Sequence, residues 1–300
     1  MMHGNDGGRG GFGGHGGGFG DFGWGVTSTT LAAGATTATG DTGFDVVTMN
    51  SAGGTVSVSA IEYLVGGVGT DVVTLASSGN TIAVRGLETL VGGAGSDVVS
   101  LSGFGTTISV SGVETLIGCG GADTVTITSG AVNFVASGGD ILTLAASNGA
   151  DQVVLQEANY RPYGDSNGYA QITNFQAGTD KLVVSGALRN RVDDNSDGVI
   201  ASASRATGAV NLSTDEIVQL TTGVSSLTDT DYASVRAAIG TMTNSSKGAD
   251  ALVLANDGTN TGVYLVVDSN GDGAVAANEI RLLSVLKSTI GVTASDLVYG

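Results

Sequence analysis

An aspartate followed by two strand-forming residues returns at a constant step of 26 (71 − 45, 97 − 71 and 123 − 97): Asp45-Val46-Val47, Asp71-Val72-Val73, Asp97-Val98-Val99 and Asp123-Thr124-Val125. A looser copy, Asp151-Gln152-Val153, follows at a step of 28 (151 − 123). Glu62, Glu88 and Glu114 keep the same period, so two columns share one register. A sequence period of this size means one small unit repeated, and such a unit buries its apolar face only by stacking on its neighbours. One copy reads as a strand at Asp71–Leu75, a Ser-Ser-Gly-Asn turn, strands at Thr81–Val84 and Glu88–Val91, and a glycine-rich turn at Gly92–Ser96. Short β-branched runs punctuated by glycine are strands and turns. Giving each unit one coil predicts an all-β, right-handed parallel β-solenoid, β-roll-like, of about 26 residues per coil over residues 27–157. Its coils would lie about 4.8 Å apart.

The rest of the chain reads differently. Residues 1–26 form a Gly-rich segment, with 13 glycines in the first 25 positions and Phe12, Phe19, Phe22 and Trp24 among them. It cannot bury enough surface to offset its ordering entropy and is expected to be a disordered tail. Residues 158–300 lose the repeat. Strand-like runs at Ala170–Phe175, Lys181–Val184, Ala251–Leu254 and Val263–Val267, with helical patterns at Asp231–Ile239 and Asn278–Leu286, predict a β-rich α+β domain that caps the solenoid end.

Charge narrows the partners. The formal net charge is −17 although charged residues make up only 13% of the chain, so the acidity comes from placed carboxylates. Such a surface repels nucleic acid and anionic membranes and suits cations. No apolar run reaches the roughly 18 residues that a membrane-spanning helix needs, so no transmembrane segment is predicted. The single cysteine, Cys119, excludes an internal disulfide framework. The N-terminal stretch has no apolar core of the kind a cleavable export signal needs, so an export signal is expected elsewhere.

The turns before the repeated aspartates carry the chemistry. Gly66-Gly67-Val68-Gly69-Thr70-Asp71 and Gly92-Gly93-Ala94-Gly95-Ser96-Asp97 fit the pattern G-G-x-G-x-D-x-U-x in full, U being a large apolar residue. Gly118–Asp123 and Gly40–Asp45 depart only at the second glycine, and Ala146–Asp151 keeps Gly149 and Asp151. On these residues the chain resembles the RTX (repeats-in-toxin) family of calcium-binding proteins secreted by type I exporters. The resemblance covers most of the chain after residue 40. It implies that Asp71, Asp97 and Asp123, with Asp45, are calcium ligands, and that Gly66, Gly69, Gly92 and Gly95 donate carbonyls. Aspartates stacked at coil spacing repel by roughly 3 kcal/mol per pair at an effective dielectric near 20. A hard divalent cation removes that penalty. The glycines are expected to supply the φ > 0 turns that aim carbonyls inward.

The chain departs from the family in its spacing. Each glutamate stands nine positions before an aspartate (71 − 62, 97 − 88 and 123 − 114), so a degenerate nonapeptide precedes each good one. A further stretch, such as Leu75–Ile82, would lengthen the coil. That arrangement predicts one calcium file along one edge, with the glutamates either ligating a second file or capping backbone amides. It also stacks Thr55, Thr81 and Thr107 as one threonine per coil.

A second calcium motif lies near the end. Asp268-Ser-Asn270-Gly-Asp272-Gly273-Ala274-Val-Ala-Ala-Asn-Glu279 fits the EF-hand loop pattern D-x-[DN]-x-[DN]-G-x5-E. Asp268, Asn270 and Asp272 would give side-chain oxygens, Ala274 a carbonyl and Glu279 a bidentate carboxylate, with Gly273 making the turn. Asp193-Asp194-Asn195-Ser196-Asp197-Gly198 begins the same way, but its twelfth position is Ser204, leaving either a weak site or an Asx-rich turn. The segment Ile172–Leu182 resembles RTX C-terminal modules, and the ending Asp296-Leu-Val-Tyr-Gly300 is similar to the uncleaved signals read by type I exporters.

Catalysis finds little support. Gly164-Asp-Ser166-Asn-Gly168 matches G-x-S-x-G, but the only histidines are His3 and His15, in the tail. No H-E-x-x-H or P-loop is present, and Cys119 has no histidine to activate it. The expectation is therefore a non-enzymatic, extracellular or cell-surface calcium-binding structural protein that forms a homo-oligomer or polymer, such as a surface layer, matrix or filament. A calcium-dependent adhesin or glycan-binding module is the alternative.

Overall fold

In the computed structural model the described residues are 26–136, 139–146, 149–155, 168–206, 208–244, 246 and 248–300. The Gly-rich tail expected over residues 1–26 lies, but for Val26, outside them, and so do Gly164 to Asn167 of the G-x-S-x-G match.

The repeat folds as a parallel β-solenoid built from two facing sheets. The first strand, Val26–Thr30, opens one sheet and Thr37–Thr39 opens the other. Each following strand then joins the opposite sheet, as far as Lys181–Val184. Two strands therefore complete a coil. Thr81 pairs with Val98 and Val98 with Thr115, a step of 17 each time (98 − 81 and 115 − 98), and Tyr63 pairs with Ala83, a step of 20 (83 − 63).

The coil is thus about 18 residues long, shorter than the sequence repeat. One sequence repeat contains three strands, for example Asp71–Leu75, Thr81–Arg85 and Thr89–Val91. Three strands at two per coil make one and a half coils. The sequence period and the structural period differ because the repeat holds an odd number of half-coils. The consequence is geometric: Asp71 enters a strand of one sheet and Asp97 a strand of the other, so they sit at opposite edges. A single file of repeat aspartates along one edge does not form. Same-edge copies such as Asp71 and Asp123 are three coils apart, roughly 14 Å at the usual strand spacing. Thr55 and Thr107 share one sheet while Thr81 lies in the other, so the one-per-coil rank of threonines does not form either.

The core follows from period-2 alternation. In Asp71–Leu75 residues 71, 73 and 75 point inward and 72 and 74 outward. Leu64, Val73, Leu90, Val99, Leu116, Phe134, Leu142 and Val153 are fully or almost fully buried and form one continuous column between the sheets. Burying each such side chain contributes about 1.5–3 kcal/mol.

The non-repetitive segment adds to the same sheets. Leu297–Tyr299 closes the ten-stranded sheet against Lys181–Val184. Ile280–Lys287 pairs in parallel with Ala170–Thr173 and extends the other sheet through Thr261–Val267, Asp250–Asn256, Ile217–Leu220 and Ser202–Arg205 to thirteen strands. A second apolar cluster packs the helix Ala233–Ile239 onto this extension around Tyr264, whose hydroxyl donates to Leu227 O at 2.6 Å.

The helical pattern at Asn278–Leu286 does not form a helix; a 3-10 turn, Ala277–Glu279, leads into the strand Ile280–Lys287 instead. Ile280 and Leu282 are buried while Arg281 and Leu283 are partly exposed, a period-2 pattern in the first half of the strand, and Ser284, Val285 and Leu286 are all buried where it pairs on both sides. The helical pattern at 231–239 is a short 3-10 turn followed by the helix Ala233–Ile239. The helix Gly186–Val192 has no counterpart among the sequence expectations. Among the described residues no helix is long and apolar enough to cross a membrane.

Candidate metal centre

The repeat carboxylates are buried: Asp71, Asp97 and Asp123 have no exposed surface and Asp45 retains 4%. Each binds its own turn through one oxygen. Asp71 Oδ2 accepts from Gly67 N at 2.6 Å, Asp97 Oδ2 from Gly93 N at 2.9 Å, Asp123 Oδ2 from Cys119 N at 2.9 Å and Asp45 Oδ2 from Asp41 N at 2.8 Å. In two of them the other oxygen reaches the preceding coil. Asp97 Oδ1 accepts from the backbone and side chain of Asn80, and Asp123 Oδ1 from Thr106 N at 2.7 Å. Asp71 breaks the rule. The equivalent N–H, that of Gly54, donates to Thr70 O, and Asp71 Oδ1 is buried with no hydrogen-bond partner among the described residues. Burial, opposed by the Gly67 bond and assisted by nearby Glu88, raises the Asp71 pKa above the usual aspartate value.

The glutamate column completes the ladder. The backbone N–H groups of Asp45, Asp71 and Asp97 donate to Oε2 of Glu62, Glu88 and Glu114 at 2.7, 2.7 and 2.8 Å, one coil further on. Asp140 takes that place for Asp123, and Asp180 for Asp151. The sequence expectations include neither Asp140 nor Asp180 as a functional residue. The available signal is the spacing of Asp140 from Asp123, which equals that of each glutamate from its aspartate, and, for Asp180, the resemblance of its segment to a solenoid-closing module.

The motif glycines do not supply the positive-φ turns expected of them. Gly66, Gly69, Gly92 and Gly95 are not among the residues with positive φ. They are glycine because the coils touch there. A Cβ on Gly92 would collide with Gly112 O, and one on Gly95 would collide with Gly79 N. Backbone packed against backbone leaves no space for a side chain.

The C-terminal loop gathers carboxylates most densely. Ligand oxygens of Asp268, Asp272 and Glu279 lie within 4.8 Å of one another, with Asp268 and Glu279 buried and Asp272 exposed. The strand Thr261–Val267 delivers Asp268, and the 3-10 turn at Ala277–Glu279 delivers the glutamate. Asp268 Oδ2 accepts from Gly273 N at 3.0 Å, Asn270 Oδ1 from Asp272 N at 2.8 Å and Asp272 Oδ1 from Ala274 N at 2.8 Å, so the chain wraps around its own side-chain oxygens. Gly271 and Gly273 adopt the left-handed conformation, φ 82° and 73°. Glu279 Oε1 accepts from Ser269 N and Oγ, and Oε2 from Ala276 N at 3.1 Å. Three carboxylates at this spacing, two of them dehydrated, have the oxygen-only chemistry a hard divalent cation requires. The set expected from sequence, Asp268, Asn270, Asp272, Ala274 and Glu279, falls in one compact turn.

Among the described residues one other group of this density exists, Asp193, Asp197 and Glu216. The sequence motif points to the first two but not to Glu216, which lies outside their loop. Comparison of the chain with family models, curated proteins and solved structures returns no match.

Proposed function

We propose that the protein is a calcium-binding, extracellular structural protein of the RTX kind, exported by a type I system and stabilised outside the cell by calcium. The observation that carries this reading is the convergence of Asp268, Asp272 and Glu279 within 4.8 Å. Their mutual repulsion is relieved by a divalent cation held by those three residues with Asn270 and the Ala274 carbonyl. In the solenoid, Asp71 is the favoured ligand, because its buried Oδ1 has no other partner among the described residues. Asp97 and Asp123 already spend both oxygens on hydrogen bonds, and Asp45 spends Oδ2 on the Asp41 amide as Asp71 spends its Oδ2 on Gly67.

The exposed end strand of the solenoid supports self-association. Val26–Thr30 is exposed along its whole length and, among the described residues, pairs with Phe44–Thr48 on one side only. An unpaired strand edge is a template for another chain. Sedimentation velocity of the full chain in millimolar calcium and in excess chelator tests the reading. Higher-order species in calcium support it; a monomer at every concentration in both conditions removes the structural-assembly part.

A further inference from the structure

The loop at Asp193 repeats the side-chain bonding of the Asp268 loop. Asp193 Oδ1 accepts from Gly198 N, Asn195 Oδ1 from Asp197 N at 2.9 Å, and Asp197 Oδ1 from Val199 N at 2.7 Å. The donors stand at the same relative positions as Gly273, Asp272 and Ala274 in the C-terminal loop. Asn195 Nδ2 donates to Asp197 Oδ2 as Asn270 Nδ2 does to Asp272 Oδ2. Ser196 and Gly198 take the left-handed φ of Gly271 and Gly273. The loops part at the twelfth residue: Glu279 in one, Ser204 in the other.

Glu216 fills that place from elsewhere in the chain. In the C-terminal loop the ninth residue, Ala276, donates its N–H to Glu279 Oε2. At the other loop the ninth residue, Ala201, donates its N–H to Glu216 Oε2 at 2.8 Å. Both glutamates immediately precede a strand, Ile280–Lys287 and Ile217–Leu220. Glu216 is only 5% exposed, and Oε2 is further occupied by the Tyr299 hydroxyl at 2.8 Å. Among the described residues its buried Oε1 has no hydrogen-bond partner. In the C-terminal loop the matching oxygen is satisfied by Ser269.

We propose that Asp193, Asn195, Asp197 and Glu216 form a second divalent-cation site, a calcium loop whose closing glutamate is borrowed from a later strand, with the open Oε1 of Glu216 as its unsatisfied ligand. Arg189 lies 3.5 Å from Asp193, so three carboxylates and one guanidinium leave a net charge of −2 for the cation. The site joins the end of the helix Gly186–Val192 to the start of Ile217–Leu220. Through the Glu216–Tyr299 bond it also reaches the last strand of the chain. Only the identity of the metal rests on the calcium reading above.

Terbium luminescence on the full chain tests the second site, because Tyr299 touches Glu216 and a nearby tyrosine excites bound terbium. Terbium and calcium equivalents are measured in parallel by equilibrium dialysis. Wild type is expected to show tyrosine-excited emission that calcium displaces. Glu216→Gln and the exposed-residue variant Asp197→Asn are each expected to weaken that binding by about tenfold or more, since even indirect partners of a metal ligand are worth 10–100-fold. Tyr299→Phe is expected to lose the emission but keep the bound equivalent, and Glu279→Gln to keep the emission and lose a different equivalent. Unchanged equivalents and emission in both Glu216→Gln and Asp197→Asn overturn the second site while leaving the Asp268 loop standing. Wild-type chain that binds neither ion overturns both.

Discussion

The backbone N–H of Asp97 donates to Oε2 of Glu114 at 2.8 Å, across one coil. The Asp97 carboxylate in turn receives Asn80 from the coil before. Three successive coils are therefore joined at one edge by acidic side chains acting on backbone amides. The next repeat does the same at the opposite edge through Thr106, Asp123 and Asp140. Acidic columns in this solenoid are coil-to-coil ties whatever else they bind.

Removing a tie leaves a donor behind. Glu114→Ala leaves the N–H of buried Asp97 without its acceptor, and an unsatisfied buried donor costs about 1–3 kcal/mol. Glu114→Gln keeps an oxygen in place and is expected to lose less. Chemical denaturation of the two variants beside wild type ranks them; equal loss in both contradicts the tie.

Two glycines of the turns separate close packing from tolerance. Gly95→Ala drives a methyl into the Gly79 backbone, whereas Gly120→Ala meets none of the described residues within 4 Å. The first is expected to destabilise by about 1–3 kcal/mol or more, as overpacking does. The second is expected to change stability little. Thermal melts of the pair decide, and the reverse order refutes the stacking of the coils.

Asp151 gives the pH dependence a sign. Burial raises its pKa, the Val132 N–H bond opposes that, and Asp180 adds to it. The folded state then holds the proton more tightly than the unfolded chain, whose aspartates titrate near 3.9. The charged carboxylate costs stability above the raised value, and the cost disappears as pH falls through it. In excess chelator, wild type is expected to gain stability relative to Asp151→Asn on going from pH 7 to pH 4. A difference that stays constant over that range contradicts the assignment.

The C-terminal loop predicts a site-specific loss. Glu279→Gln removes one of three converging carboxylates. Calorimetric titration is expected to show one fewer high-affinity equivalent than wild type, with the β spectrum in saturating calcium retained. An unchanged count contradicts the loop as a metal centre.

Much of the fold is legible in the sequence, for reasons tied to particular residues. The three strands of a repeat can be read because Asp71–Leu75, Thr81–Arg85 and Thr89–Val91 are β-branched runs between glycines. The coil length cannot, because the repeat counts three strands and a coil counts two. The buried oxygens of Asp268 and Glu279 can be read because a single continuous loop supplies them. Glu216 cannot, because it joins its loop only through tertiary pairing of Ser202–Arg205 with Ile217–Leu220. Residues 280–287 read as helix because Leu282, Leu283, Val285 and Leu286 suit either period, and pairing with Ala170–Thr173 and Thr261–Val267 decides for the strand.

The most direct test of calcium dependence is far-UV circular dichroism of the chelator-treated full chain during a calcium titration. Binding to the folded form alone stabilises it by about 2.7 kcal/mol per site at a hundredfold excess over Kd, and several sites add. The predicted result is a cooperative rise of β signal, and of the melting temperature, between sub-millimolar and millimolar calcium, the range of extracellular calcium modules. A β spectrum complete in excess chelator, with a melting temperature that calcium does not move, would contradict it.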